Sequence, residues 1–322
     1  MIVSRISLAR ISLAATVAAT SACGSGLAQI EASALPETVA PASAPTISAT
    51  WMGTAGIMLD DGTTAILIDP FVSRPSLGRV GFGRPIPVDD ARVDLWMKMP
   101  GIDRAKAVVV THSHYDHVMD APAFAKRTEA TVVGSASTAA IARASGLPDP
   151  QIVTAALHAP MQFGDFTVTM LPSRHGRVLL GRVPYPGTVG DDFTMPAKAK
   201  DYSMGGAFTV VVEHPAGTVV HHASAGWVPG MLDDVAADVV FLGLAGHRDP
   251  SAYIDAVVDT TGADRIVPIH WDNFFRGFDA ALQPLRSAHV TAFFDHVADT
   301  RPDLRLETLP LGQARIVLTG DG

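Results

Sequence analysis

The stretch Ala107-Val108-Val109-Val110-Thr111-His112-Ser113-His114-Tyr115-Asp116-His117 decides how the chain is read. Its apolar start, with three valines in a row, reads as a strand buried on both faces. Three imidazoles and a carboxylate follow at once. Side chains placed where such a strand ends stand at the carboxyl edge of the sheet, where open α/β folds build their sites. His112 and His114 are two apart, so an extended backbone turns both rings the same way. Asp116 and His117 come where the chain begins to turn. Imidazole nitrogen together with carboxylate oxygen is a ligand set for borderline divalent metals.

Other strand ends carry residues of the same kinds. Asp69 closes Ala65 to Ile68, in Ile68-Asp69-Pro70-Phe71. His175 follows Phe166 to Leu171, in Leu171-Pro172-Ser173-Arg174-His175-Gly176. His270 closes Arg265 to Ile269, in Pro268-Ile269-His270-Trp271-Asp272. Around them the pattern predicts strands at 48–51, 57–59, 130–133, 207–212, 218–222, 239–242, 304–308 and 315–318. Asp60-Asp61-Gly62 and Pro215-Ala216-Gly217 supply hairpin turns. Helices are expected over 121–126, 135–144, 251–260 and 288–298, the second capped by Ser135 or Ser137 and stopped by Gly146. Two Gly- and Pro-rich excursions, Ser73 to Pro100 and Arg174 to Gly206, leave strands that end at these residues and are expected to fold over them as rims. Their large apolar side chains, with Trp227, Trp271, Phe274 and Phe275, would make an apolar mouth. Arg74, Arg79, Arg84, Arg174, Arg177 and Arg182 offer cations to a phosphate or carboxylate.

The chain has 322 residues, 24 Lys+Arg against 32 Asp+Glu, a formal net charge of −8 and 48% hydrophobic residues. That supports an ample core. It argues against nucleic acid as a partner. The single cysteine excludes an intramolecular disulfide and a cysteine-built zinc site, so a metal must rest on His and Asp. Arg5 and Arg10 precede the apolar run Ile11 to Ala19, and small residues follow. This reads as an export signal over residues 1–28, too short to span a bilayer. Gly26-Leu27-Ala28 before Gln29 is one cleavage site. Thr20-Ser21-Ala22-Cys23 loosely resembles a lipobox, which would leave a lipid on Cys23 and attach the chain to a membrane. The expected location is the periplasm, free or as a membrane-anchored lipoprotein. Residues 29–46, rich in Ala, Pro, Ser and Glu, read as a flexible linker with no core to join. That leaves 47–322 as the folded domain.

From Ser48 to Leu318 the chain resembles the metallo-β-lactamase fold superfamily, through the H-x-H-x-D-H run of His112 to His117. Pro268-Ile269-His270-Trp271 and Ile68-Asp69-Pro70-Phe71 look most like the branch containing ascorbate-6-phosphate lactonase and N-acylphosphatidylethanolamine-hydrolysing phospholipase D. The resemblance implies an α/β fold, a four-layer αβ/βα sandwich of two mixed β-sheets flanked by helices. It implies a two-metal site. His112, His114 and His175 would bind one ion, and Asp116, His117 and His270 the other, with Asp69 orienting ligands from behind. Zn2+ is the implied cofactor, as one or two ions, with Mn2+ or Fe2+ as alternatives. One position departs. The family's Gly-Asp-Thr-Gly turn, whose aspartate bridges both metals, reads here Ala223-Ser224-Ala225-Gly226-Trp227. Ser224 is neutral and a weak ligand. The second metal should therefore bind more weakly, and a loaded site should favour anionic substrates. Asp272 and Asp191 are carboxylates that would compensate if they reached the site. His222 and His247, near strand ends, are candidates to face it.

The function implied is an exported metal-dependent hydrolase. A metal lowers the pKa of its bound water to about 7, so a metal-bound hydroxide can attack at neutral pH. The target would be a phosphodiester, lactone, ester or amide in a small-molecule or lipid-like substrate with an apolar or anionic portion. Asp116 is the catalytic carboxylate that would hold or accept a proton. Ser113 has no nucleophile elbow around it and reads as a spacer. Three other functions fit the same residues. A mononuclear iron oxidoreductase of this fold would consume oxygen, a β-lactamase would open β-lactams, and a non-catalytic binding protein would turn over nothing.

Overall fold

Apolar runs buried on both faces form the centre of two seven-stranded sheets. The computed structural model describes residues 26–38, 44–178 and 180–320. The first sheet holds β1 (Thr46–Gly53), β2 (Gly56–Asp60), β3 (Ala65–Ile68), β4 (Ala105–Val109), β5 (Thr131–Gly134) and β6 (Ile152–Thr154). The second holds β7 (Met161–Phe163), β8 (Phe166–Ser173), β9 (Ala207–His214), β10 (Gly217–His222), β11 (Val239–Gly243), β12 (Arg265–Ile269) and β13 (Arg305–Leu306). The last strand, β14 (Ala314–Thr319), crosses back to pair with β1. The orders are β14-β1-β2-β3-β4-β5-β6 and β7-β8-β9-β10-β11-β12-β13. In both, three antiparallel pairings are followed by three parallel ones. The same topology is thus used twice.

Both faces of the central strands are covered, which is why they read as unbroken apolar runs. Ile57, Leu59, Ile66, Ile68, Ala107 and Val109 point inward and meet Val168, Val210 and Val219 of the second sheet. Their neighbours Met58, Leu67, Val108 and Val110 point outward. There they meet the helices α3 (Asp90–Trp96), α5 (Ala121–Thr128) and α6 (Ala136–Ala144), through Trp96, Phe124 and Ile141. On the far side α7 (Pro250–Val257) and α8 (Val290–Thr300) press Tyr253, Ile254 and Phe293 onto the second sheet. Each such side chain stabilises the fold by about 1.5–3 kcal/mol when fully buried. The result is the expected α/β four-layer sandwich of two mixed sheets flanked by helices. Ser135 caps α6 as read, accepting the Thr138 N–H. Among the described residues no helix is long and apolar enough to cross a membrane.

Two expectations need correction. The Ser73 to Pro100 excursion is not structureless. It holds α2 (Leu77–Gly81), capped by Ser76, and α3, capped by Asp89. The linker reading fails over its first part. Residues 26–32 form a helical turn, α1, that seats Ile30 in the core and packs Leu27 against it. Backbone bonds from Leu35 to Thr308 and from Thr308 to Ser33 continue the attachment, and Thr308 Oγ1 donates to the Ile30 carbonyl. Two apolar side chains suffice to dock so short a turn, and its Ala- and Ser-rich surroundings hide them. Cys23 and most of the expected signal lie outside the described residues.

Candidate metal centre

All seven predicted ligand and ligand-orienting residues sit at the carboxyl ends of strands or just beyond. His112 and His114 leave β4, Asp116 and His117 form the first turn of α4 (Tyr115–Val118), and His175 leaves β8. Asp69 and His270 each follow a strand directly with positive φ, +47° and +51°. That left-handed kink is unusual for residues other than glycine. It turns both side chains off their strands toward the centre.

The ring nitrogens are assigned by what lies behind them. Asp69 is fully buried and accepts from Thr111 N at 2.7 Å and from Thr111 Oγ1 at 2.5 Å. It also accepts from His117 Nδ1 at 2.7 Å, so the His117 proton is on Nδ1 and Nε2 is a bare lone pair. His175 Nδ1 donates to the Gly176 carbonyl at 2.6 Å, which leaves its Nε2 bare. His114 Nε2 donates to the Pro184 carbonyl at 2.9 Å, which leaves its Nδ1 bare. His112 Nδ1 faces Thr111 Oγ1, and its buried Nε2 has no partner.

The ring nitrogens then face one another in pairs. His114 Nδ1 and His175 Nε2 are 3.2 Å apart, as are His117 Nε2 and His270 Nε2. Asp116 Oδ2 lies 3.3 Å from His270 Nε2 and 3.7 Å from His117 Nε2. The His114 and His175 protons are committed to carbonyls, so their facing lone pairs repel unless a cation lies between them. His112, His114 and His175 form one group of donors and Asp116, His117 and His270 another, the atoms of each within 4.8 Å of one another. These residues fit two divalent ions. Burial and neighbouring imidazoles hold His175 down to about 3, and His112 well below its ordinary value. Both are thus neutral and able to ligate at physiological pH. Burial alone would raise the Asp116 carboxyl, but the imidazoles of His117 and His270 hold it well below the usual range.

A cavity of about 270 Å³ opens over the two groups. Val80, Val178, Tyr185, Phe274, Phe275 and Leu285 wall it, so both excursions contribute to the rim as expected. Tyr115 packs on Phe71 and Phe274 and also reaches the wall. Ser113 turns away and bonds to Ser135 and Thr138. Ser224 lines the same cavity, its Oγ accepting the Gly176 N–H at 3.0 Å. It thereby anchors the loop that carries His175.

Other candidates fall elsewhere. His222 points into the second sheet's far side, bonded to Thr209 at 2.7 Å and packed on Tyr253. His221 takes the opposite face, with Nε2 on the Ala55 carbonyl. His247 lies in a neighbouring cavity with its Nδ1 on the Leu244 carbonyl. Trp271 is buried in a stack on Trp51. Neither unplaced carboxylate compensates for Ser224. Asp191 is on the surface near Arg143. Asp272 is fully buried in an ion pair with Arg74, so Arg74 is not available to a substrate either. Gly53 makes room for this pair, because a Cβ there would meet Arg74 Nη2. The Asp272 carboxylate also accepts the Thr54 N–H, and the Thr54 carbonyl accepts the His270 N–H.

Sequence reading missed the carbonyls of Gly176 and Pro184, which no side-chain pattern reveals. It also missed Asp120, which takes two backbone N–H groups and the Ser73 hydroxyl to fix the turn leading to α2. Arg248 was missed too, although it follows His247 beyond the end of β11, where the strand-end rule points.

A family model described as the beta-lactamase superfamily domain matches residues 64–271. A metal-dependent hydrolase of Myxococcus xanthus is 26% identical over 278 residues, covering 82% of this chain and 87% of that protein. Another, from Pyrobaculum islandicum, is 25% identical over 229 residues, 70% of this chain and 84% of that one. Among solved structures, the metallo-beta-lactamase fold protein YhfI of Bacillus subtilis superposes with a TM-score of 0.52 at 14% identity, over 84% of this chain and 99% of its own.

Proposed function

Because the chain belongs to the beta-lactamase superfamily, we propose that its paired donor groups make it a metal-dependent hydrolase of an ester, lactone, amide or phosphodiester. One observation carries the reading: six donors converge from three strand ends in two groups, with the partners of His114, His117 and His175 leaving a bare lone pair on each. Imidazole-rich donors of this kind suit zinc, with manganese or iron as alternatives. A divalent ion held there supplies Lewis acidity and a water acidic enough to ionise near neutral pH.

The chain's own residues do the rest. Asp69 and the Gly176 and Pro184 carbonyls hold the rings in register before substrate arrives, so no reorganisation is needed in the reaction. Asp116 has one oxygen among the donors and a second free to hold the proton given up by the attacking water. Phe274, Phe275, Leu285 and Val178 keep bulk water off the reacting bond and fit an apolar portion of substrate. The purified protein should contain zinc, manganese or iron and cleave one member of a panel of esters, lactones, phosphodiesters and β-lactams. Absence of turnover after loading with each metal would overturn the reading. Iron with oxygen uptake would point instead to an oxidoreductase.

Ser224 makes the second ion the weaker one. Ser224→Asp restores an anion at that turn and is expected to raise second-metal affinity by tenfold or more, read as metal per chain in a titration. Unchanged stoichiometry would remove Ser224 from the bridging position.

We also propose that the protein is exported and processed before Cys23. The seating of α1 supports this. Cleavage after Ala28 would cut that turn and remove Leu27 from its packing, whereas cleavage before Cys23 leaves it whole. Intact-mass analysis of protein from the native host should find an acylated Cys23 terminus, and a terminus at Gln29 would sink the proposal.

A further inference from the structure

A second cavity, of about 400 Å³, adjoins the metal centre, with His175 in the walls of both. Arg174 and Arg177, from the loop after β8, and Arg248, from the loop after β11, line it together. None of the three guanidinium groups has an ion pair or hydrogen bond among the described residues. Elsewhere arginines such as Arg127, Arg265 and Arg301 are paired with carboxylates. The one carboxylate in the wall, Asp249, is spent on the Ala252 N–H as the cap of α7. In a chain of net charge −8 this is a local excess of positive charge. All three side chains are exposed and of one sign, so together they give the cavity mouth a positive potential that attracts anions. The rim leaves room for one of them, since a Cβ at Gly181 would meet Arg248 Nη2. Trp227, stacked on Tyr253 with centroids 5.9 Å apart, gives the cavity an aromatic wall.

We propose that this cavity binds a tetrahedral oxyanion, a phosphate or sulfate group carried by the substrate at some distance from the bond that is cleaved. The proposal rests on the hydrolase reading, because the shared His175 wall places the anion beside the reacting bond. Guanidinium forks bind oxyanions in a bidentate manner. Three forks offer more donors than the two oxygens of a carboxylate can accept, whereas a tetrahedral group presents three terminal oxygens. The anion would then anchor one end of the substrate while the apolar cavity takes the other, and the anchoring energy goes into positioning.

The test uses the full, metal-loaded protein and calorimetric titration with inorganic phosphate and with sulfate. Acetate serves as the carboxylate comparison. Three samples are compared: the wild type, the wild type stripped of metal, and the Arg174→Ala/Arg177→Ala/Arg248→Ala variant with its metal content and melting temperature measured. The expected result is that phosphate and sulfate bind more tightly than acetate, that metal removal preserves most of the binding, and that the triple variant loses at least tenfold in Kd. Equal binding by wild type and variant overturns the proposal, as does binding that disappears with the metal alone. Tighter binding of acetate would overturn the tetrahedral assignment. If the hydrolase reading fails, the failure appears as missing metal or turnover in the wild type, and this comparison of affinities still reads out.

Discussion

Replacing His112 by alanine is expected to lower turnover by at least about a thousandfold, equivalent to about 4 kcal/mol of transition-state stabilisation. His112 is almost fully buried and its Nε2 has no protein partner, so it has one evident use, as a donor to the first ion. Its loss leaves His114 and His175 as a two-point site too weak to hold that ion in competition with buffer. The measurement is metal per chain alongside the rate on the substrate found by screening. A chelator should reproduce the loss in the wild type, and added zinc, manganese or iron should reverse it there but not in the variant. A His112→Ala protein that keeps both metal and rate would remove the first site altogether.

Asp272→Ala is expected to destabilise the fold by about 3–5 kcal/mol, because it leaves the Arg74 guanidinium charged and uncompensated in the interior. In a protein of this size that corresponds to a fall in Tm of about 10 °C. The double variant Arg74→Met/Asp272→Leu removes both charges and should recover most of the loss, so the pair can be told apart from simple packing damage. Metal affinity should fall in the single variant too, since Asp272 holds Thr54, and Thr54 holds the backbone of His270. A single variant that melts like the wild type would mean that water reaches Arg74.

The donors were legible because the chain places each at a strand end, and strands buried on both faces announce themselves as apolar runs. Val108 to His112 and Arg265 to His270 needed little beyond that rule. The same property hid the roles of His221 and His222. Period-two alternation sends them to opposite faces, but both faces are interior in this sandwich, so polarity could not say which one meets the metals. His247 sits at a strand end as well, yet its ring turns to the neighbouring cavity. Asp272 looked like a spare ligand because its partner, Arg74, is remote in sequence. The weak signals were the short ones. The caps Ser76 and Asp89 stood in plain view, but α2 and α3 are too brief for a helical period to emerge from Gly- and Pro-rich surroundings. The departure at Ser224 was readable only against a family pattern, and its hydrogen bond to Gly176 only from the structure.

Thr46 pairs with Thr319, so the first strand of the fold waits for its fourteenth to be made. Until then, the outer edge of β1 is bare backbone flanked by Ile47, Thr50 and Trp51. Such β-branched and aromatic edges recruit strands from other molecules. Ala314–Thr319 is therefore more than the end of a sheet: it covers the β1 edge and puts a strand carrying Arg315 at the margin instead. A nascent chain, or a fragment that stops short of it, would expose the β1 edge to its neighbours and favour aggregation over completion of the fold.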